Sequence, residues 1–192
     1  MAGLTRLVPQ ESLGREGIEL HASRNGWTLV DAGAQDGEPF EQIWVPADLE
    51  AGIHWVEDDL FKVSYLAVEG PDAERMVASL RAELPLHTVT SLTEAGSQGS
   101  DALMKALRML GIQCVGQPFD ADSLALLRRA LADPEPMVRR TALLAASIMD
   151  WPELEVLLEH VSLHDDDALV RDEAAETLDI LRARLEQVTL PR

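Results

Sequence analysis

The sequence is short of cysteine, basic residues, aromatics and long apolar runs, and each shortage excludes something. Cys114 is the single cysteine, so no intramolecular disulfide can form. The start of the chain carries no basic n-region followed by an apolar h-region, and the chain therefore reads as cytoplasmic. No apolar run approaches the roughly 20 residues that a membrane span needs. Lys and Arg number 16 against 34 Asp and Glu, a formal net charge of −18. That balance argues against nucleic acid as the main ligand, because phosphate contacts need clustered cations. It argues equally against anionic membranes, and it suits a soluble protein or one with a basic partner. Aromatics are 4% of the chain, as expected where Leu and Ala pack helices. The Gly96–Ser100 stretch "GSQGS" lacks a following Lys-Ser or Lys-Thr, so it is no phosphate-binding loop.

What is present is a repeat. Between Leu124 and Leu185 two segments match at a step of about 32 residues, within the range of helical solenoid units. Leu124 falls on Val156, Leu126 on Leu158, Leu131 on Leu163, Asp133 on Asp165, Val138-Arg139 on Val170-Arg171, Ala142 on Ala174 and Ile148 on Ile180. Each unit reads as helix, acidic turn, helix. Asp122 or Ser123 is placed to cap the helix beginning at Leu124 by accepting from its free N–H groups. Asp133-Pro134-Glu135-Pro136 ends that helix, since proline lacks the donor and restricts its predecessor. Asp150 is the corresponding cap candidate before Leu154, Leu157, Leu158 and Val161. A degenerate third unit, Asp101 to Ile112, aligns on Met137 to Ile148 without the Val-Arg pair.

"LADPEPMVRRTALLAASI" and "DDDALVRDEAAETLDIL" resemble HEAT repeats of the bacterial type, the kind shared with bilin-attaching lyases. Asp133, Pro134, Val138, Arg139 and Ala142 carry the resemblance in one unit. Asp165, Val170, Arg171, Ala174 and Leu178 carry it in the other, which lacks the turn proline. The resemblance implies a polar ladder between stacked units through Asp133, Arg139, Asp165 and Arg171. It also implies that the second helices line a binding face. Some HEAT-repeat enzymes hold iron through His-Glu dyads, and no His-Glu pair occurs here. Others excise damaged DNA bases from a basic groove, which the charge balance opposes.

The front half reads differently. Residues 1 to about 25 have no clean period and suggest a loose arm with at most a short helical turn. Trp27–Val30, Phe40–Val45, Ile53–Val56 and Phe61–Val68 read as strands, the last with the two-residue alternation of a half-buried strand. "DAGAQDGEP" is a turn-rich loop, and Glu57–Asp59 a solvated turn. Gly70-Pro71-Asp72 opens a helix whose Ala73, Met76, Val77, Leu80 and Leu84 share a face. His87 to Leu92 reads as a further strand or an extended connection. The expected class is α+β: a small antiparallel β-meander with a helix in residues 1–94, followed by a short HEAT-like helical array in residues 100–192. The seam is the glycine-rich stretch between them.

No catalytic residue is expected. His160 and His164 precede Asp165-Asp166-Asp167, residue types that bind zinc at this spacing on a helix. A structural turn accounts for the same residues, and no metal or cofactor is expected. Cys114, beside Ile112 and Val115 with no nearby His, reads as a buried structural thiol. Trp44 and Trp55 read as core, with an outward interface anchor as the alternative. Trp151 reads as packing between units. On the last helix Asp172, Glu176 and Asp179 lie away from the Val170, Ala174, Leu178 and Leu181 stripe by the 100° helical step. One unit back stand Arg140, Leu144 and Ser147. Arg140, Leu144, Asp172, Glu176 and Asp179 are thus the expected binding patch for a protein partner. The expected function is a non-catalytic adaptor or scaffold. The alternatives are an acidic immunity-type inhibitor of a basic partner and, third, a bilin-lyase-like enzyme.

Overall fold

The computed structural model describes residues 4–33 and 39–189, and the chain divides into two compact units, Met1–His87 and Thr88–Arg192. The first contains β1 (Thr5–Leu7), α1 (Arg15–Arg24), β2 (Thr28–Gly33), β3 (Phe40–Val45), β4 (Gly52–Asp58), β5 (Val63–Glu69) and α2 (Ala73–Glu83). The strands form one antiparallel sheet in the order β1-β5-β4-β3-β2. β2 to β5 are the expected meander. The loose arm is a correction: it supplies edge strand β1, paired with β5, and helix α1. Three residues of strand and a helix burying only Ile18 and Ala22 carry too little periodic signal to read alone. Residues 34–38 of the turn-rich loop lie outside the described residues.

The register Trp44↔Ile53 and Trp55↔Leu66 puts both tryptophans on one face of the sheet. There they meet Ile18 and Ala22 of α1 and Met76, Val77 and Leu80 of α2, and both are buried. Trp44 and Trp55 are core, which removes the outward anchor. Glu57 and Asp58 belong to the end of β4, and the Asp58 carboxylate builds the turn by accepting from the N–H groups of Leu60 and Phe61, both at 2.9 Å.

The second unit contains α3 (Val89–Ala95), a 3-10 turn (Gly96–Gln98), α4 (Ser100–Cys114), α5 (Ala121–Leu131), α6 (Pro136–Ala146), α7 (Leu154–His164) and α8 (Ala168–Thr189). The strand expected over His87–Leu92 is a helix from Val89 onward. Thr88 and Ser91 form a reciprocal capping box, and Leu92 is fully buried. The cap and that burial outweigh the β-branched composition. Extended character survives just upstream, where Leu86 bridges Pro9 and the His87 N–H donates to the Val8 carbonyl at 2.8 Å. The glycine-rich stretch expected as the seam, 94–100, is helical on both sides of Gly99 and falls inside this unit.

The array has three helix pairs. α3, α5 and α7 form one layer, and α4, α6 and α8 the other, with α5 and α6 in the middle positions. The degenerate unit is therefore a full pair, α3 with α4. Gly111 lets α4 approach α6, because a Cβ there would meet the Ala145 Cα at 3.0 Å. Leu107, Leu110, Leu127, Val138, Ala142, Leu154, Leu158, Val170 and Ala174 fill the space between the layers. Each buried leucine contributes about 1.5–3 kcal/mol.

Two expectations shift. Asp120, not Asp122 or Ser123, caps α5: its carboxylate accepts from the Ser123 N–H at 2.8 Å and the Ser123 hydroxyl at 2.6 Å. Asp120→Ala is expected to cost about 1 kcal/mol in urea unfolding followed by circular dichroism. The 32-residue match also holds only in part on the first helices, where Leu126 and Leu158 are both buried. Leu124 and Leu131 are buried, but their counterparts Val156 and Leu163 are 78% and 67% exposed. A step of 31 superimposes Ser123, Leu127 and Ala130 on Leu154, Leu158 and Val161, all buried. One residue of drift turns a helix face by about 100°.

Candidate functional site

The turn between helix pairs is held by the Asp–Arg ladder. Arg139 donates to both carboxylate oxygens of Asp165 at 2.8 Å, and to the carbonyls of Asp133 at 2.8 Å and Pro134 at 3.2 Å. Arg171 donates to the Asp165 carbonyl. The side chains of Arg139 and Asp165 are 10% and 7% exposed. Burial pushes the Asp165 carboxyl up. The bonds from Arg139 and from the Asp167 N–H, with the Arg139 and Arg171 charges, outweigh that and hold it below the usual range. Asp133 instead accepts from the Glu135 N–H, and Leu103 of α4 stands where an upstream arginine would be. The ladder is architecture.

The second helices present a groove of about 420 Å³ across α4, α6 and α8. Buried Thr141, Leu143 and Thr177 line it together with half-buried Leu144 and the exposed apolar side chains of Met137 and Ile180, 49% and 37% exposed. Arg140 forks onto Glu173 with its Nε 2.9 and 3.0 Å from the two carboxylate oxygens, tying α6 to α8. That hydrogen bond raises the Arg140 pKa. Arg108 and Glu176 complete the rim.

Of the expected patch, Arg140, Leu144 and Glu176 come together here. Asp172 and Asp179 are exposed and line no part of this groove, being one helical step from Glu173 and Ile180, which do. Arg108, Met137, Glu173 and Ile180 were not among the expected residues. A 36-residue step from Arg108 to Leu144 would have found the first.

His160 and His164 line a separate groove of about 900 Å³ between α5 and α7. Their rings stack with centroids 4.7 Å apart, and the His164 Nδ1 lies 3.0 Å from the His160 carbonyl. Two of the neighbouring acids are committed elsewhere. Asp165 holds Arg139, and Asp167 accepts from the N–H groups of Leu169 and Val170 at the start of α8. Among the described residues no three His, Cys, Asp or Glu side chains gather as a metal site. Cys114 is buried against Ser123, and burial pushes its thiol up to about 11. A thiol so placed is a poor nucleophile near neutral pH. Trp151 packs between helix pairs, its indole N–H on the Gln117 carbonyl and its ring edge-on to Phe119.

Stacked helix pairs joined by a buried Asp–Arg ladder define a helical-repeat array. Residues 100–179 match the family model of HEAT repeats, and this part of the chain is a HEAT-repeat array. HEAT repeats generally mediate protein–protein interaction and are typically non-catalytic. No curated protein and no solved structure matches the chain. Among the described residues no helix is long and apolar enough to cross a membrane.

Proposed function

We propose that the chain is a non-catalytic adaptor whose array docks a segment of a partner protein in the groove of α4, α6 and α8. The observation that carries this reading is the groove itself, where the apolar side chains of Met137, Leu143, Leu144 and Ile180 stand among the charged Arg108, Arg140, Glu173 and Glu176 on the second-helix layer. Apolar side chains gathered among charged ones are the composition of a protein interface. A cytoplasmic setting suits a lone buried thiol. The test is an affinity capture from the cells that express the protein, with wild type beside Leu144→Asp. Leu144 is only half-buried, so the variant is expected to keep its fold by circular dichroism and to lose the partner. Asp172→Lys, outside the groove, is expected to keep it. Undiminished capture by Leu144→Asp would sink the reading.

A second reading, an acidic cognate inhibitor, is favoured by one observation. Between Arg24 and Lys62 lie nine Asp and Glu and no Lys or Arg. Such a one-sign field steers basic partners and weakens with salt. One dominant basic protein, lost between about 50 and 500 mM salt as the Debye length shrinks about threefold, would favour it. Capture that survives salt would favour the adaptor.

A further inference from the structure

We infer that the segment held by this groove is a helix that carries an acid, an apolar residue and a base at seven-residue intervals. The inference rests on the docking reading above and specifies its occupant. Arg108, Leu144 and Glu176 occupy equivalent repeat positions, separated by 36 and 32 residues, on α4, α6 and α8. All three line the one groove. They form a row across the second-helix layer that reads cation, apolar, anion. Neighbouring rim charges are spent, since Arg140 and Glu173 hold each other. Arg108 and Glu176 have no partner among the described residues.

The row also fixes spacing. Packed helices lie about 8–10 Å apart, so its members are spaced by about that distance. Seven residues of an α-helix rise about 10.5 Å and return to nearly the same face. A helix crossing the layer therefore sets residues i, i+7 and i+14 over Arg108, Leu144 and Glu176. An extended segment fits the chemistry less well. The floor is the side-chain surface of helices whose backbone groups are already bonded, so it offers no ladder to a strand. A helix satisfies its own backbone.

The partner chemistry follows by complementarity and differs from what net charge dictates. A field of −18 favours an all-basic ligand. The row rejects a base over Arg108 and asks for an acid there.

Three labelled 21-residue alanine-rich helices test this by fluorescence anisotropy at low salt. They carry Glu–Leu–Lys, Lys–Leu–Lys or Glu–Leu–Glu at the three heptad-spaced positions. Wild type is expected to bind Glu–Leu–Lys about 3- to 10-fold more tightly than either other peptide, the scale of exposed ion pairs made or opposed. Glu176→Arg is expected to move the preference to Glu–Leu–Glu, and Leu144→Asp to weaken all three. A wild-type preference for Lys–Leu–Lys, equal binding of the three, or no binding overturns the inference. None of these overturns the docking reading, which the cellular capture with Leu144→Asp decides separately.

Discussion

Arg139→Ala is expected to destabilise the array by about 3–5 kcal/mol, the scale for removing one member of a buried ion pair. The loss has two parts. Asp165 keeps its charge with its side chain 7% exposed and no guanidinium, and the carbonyls of Asp133 and Pro134 lose their donor. Urea unfolding followed by far-ultraviolet circular dichroism measures it. Replacing both partners, Arg139→Met with Asp165→Leu, is expected to cost less than either single change, because no unpaired charge remains buried. Additive costs in that double-mutant cycle would show that the pair does not act as a unit. The same pair sets an acid limb. The folded Asp165 carboxyl lies below its unfolded value of about 3.9, so its contribution is fully present above that pH and is lost as pH falls through the folded value. Wild type is expected to lose urea resistance between pH 5 and pH 3 more steeply than Asp165→Asn. Parallel slopes would remove Asp165 from the acid response.

The turn motif was legible because it is local, whereas the ladder followed from the HEAT resemblance, and of its side-chain pairs Arg139 with Asp165 forms while the Asp133 carboxylate turns to the Glu135 N–H. Asp133-Pro134 and Val138-Arg139 recur at Asp165 and Val170-Arg171 with one fixed step, and a turn motif does not depend on what packs over it. Strands β3 and β5 were legible from their β-branched and aromatic composition between turn residues, but the alternation expected in Phe61–Val68 fails, since Tyr65, Leu66, Ala67 and Val68 are all buried. β1 and α3 were not legible. β1 exists because β5 offers it an edge. α3 exists because the Thr88–Ser91 box and Leu92 outweigh the strand-like composition of His87 to Leu92. Tertiary context decides such short elements, and propensity alone does not. In the groove the repeat step found Arg140, Leu144 and Glu176. It missed Arg108, since α4 lacks the Val-Arg marker and joins at 36 residues instead of 32. Asp172 and Asp179 lie beside Glu173 and Ile180 in sequence, about 100° away on the helix, and do not line the groove.

Gly70→Ala is expected to cost about 3 kcal/mol, far beyond an ordinary glycine replacement, for two independent reasons. Gly70 has φ +105°, a region that L side chains rarely adopt and that costs about 1–3 kcal/mol to enforce. A Cβ there would also lie 2.5 Å from the Glu50 carbonyl oxygen and 3.1 Å from the Ala51 Cα. Those are backbone atoms, so no rotamer change relieves the contact. Nor can residue 50 retreat freely. Its carbonyl accepts from the Asp72 N–H at 3.2 Å, and its N–H donates to the Asp72 carboxylate at 3.0 Å. The turn from β5 into α2 is thereby stitched to the segment entering β4. Moving it would shift α2, which brings Met76, Val77 and Leu80 onto Trp44, Trp55 and Leu66. Gly33→Ala is the matched control: its Cβ would meet nothing within 4 Å, and its φ is not in the left-handed region, so the change is expected within about 0.5 kcal/mol of wild type. Hydrogen exchange read by peptide gives the location as well as the size of the effect. Peptides covering β3 to α2 are expected to lose protection in Gly70→Ala. Protection there equal to that of Gly33→Ala would mean that the turn adapts to a side chain, and that the stitch between residues 50 and 72 is not what fixes α2 on the sheet.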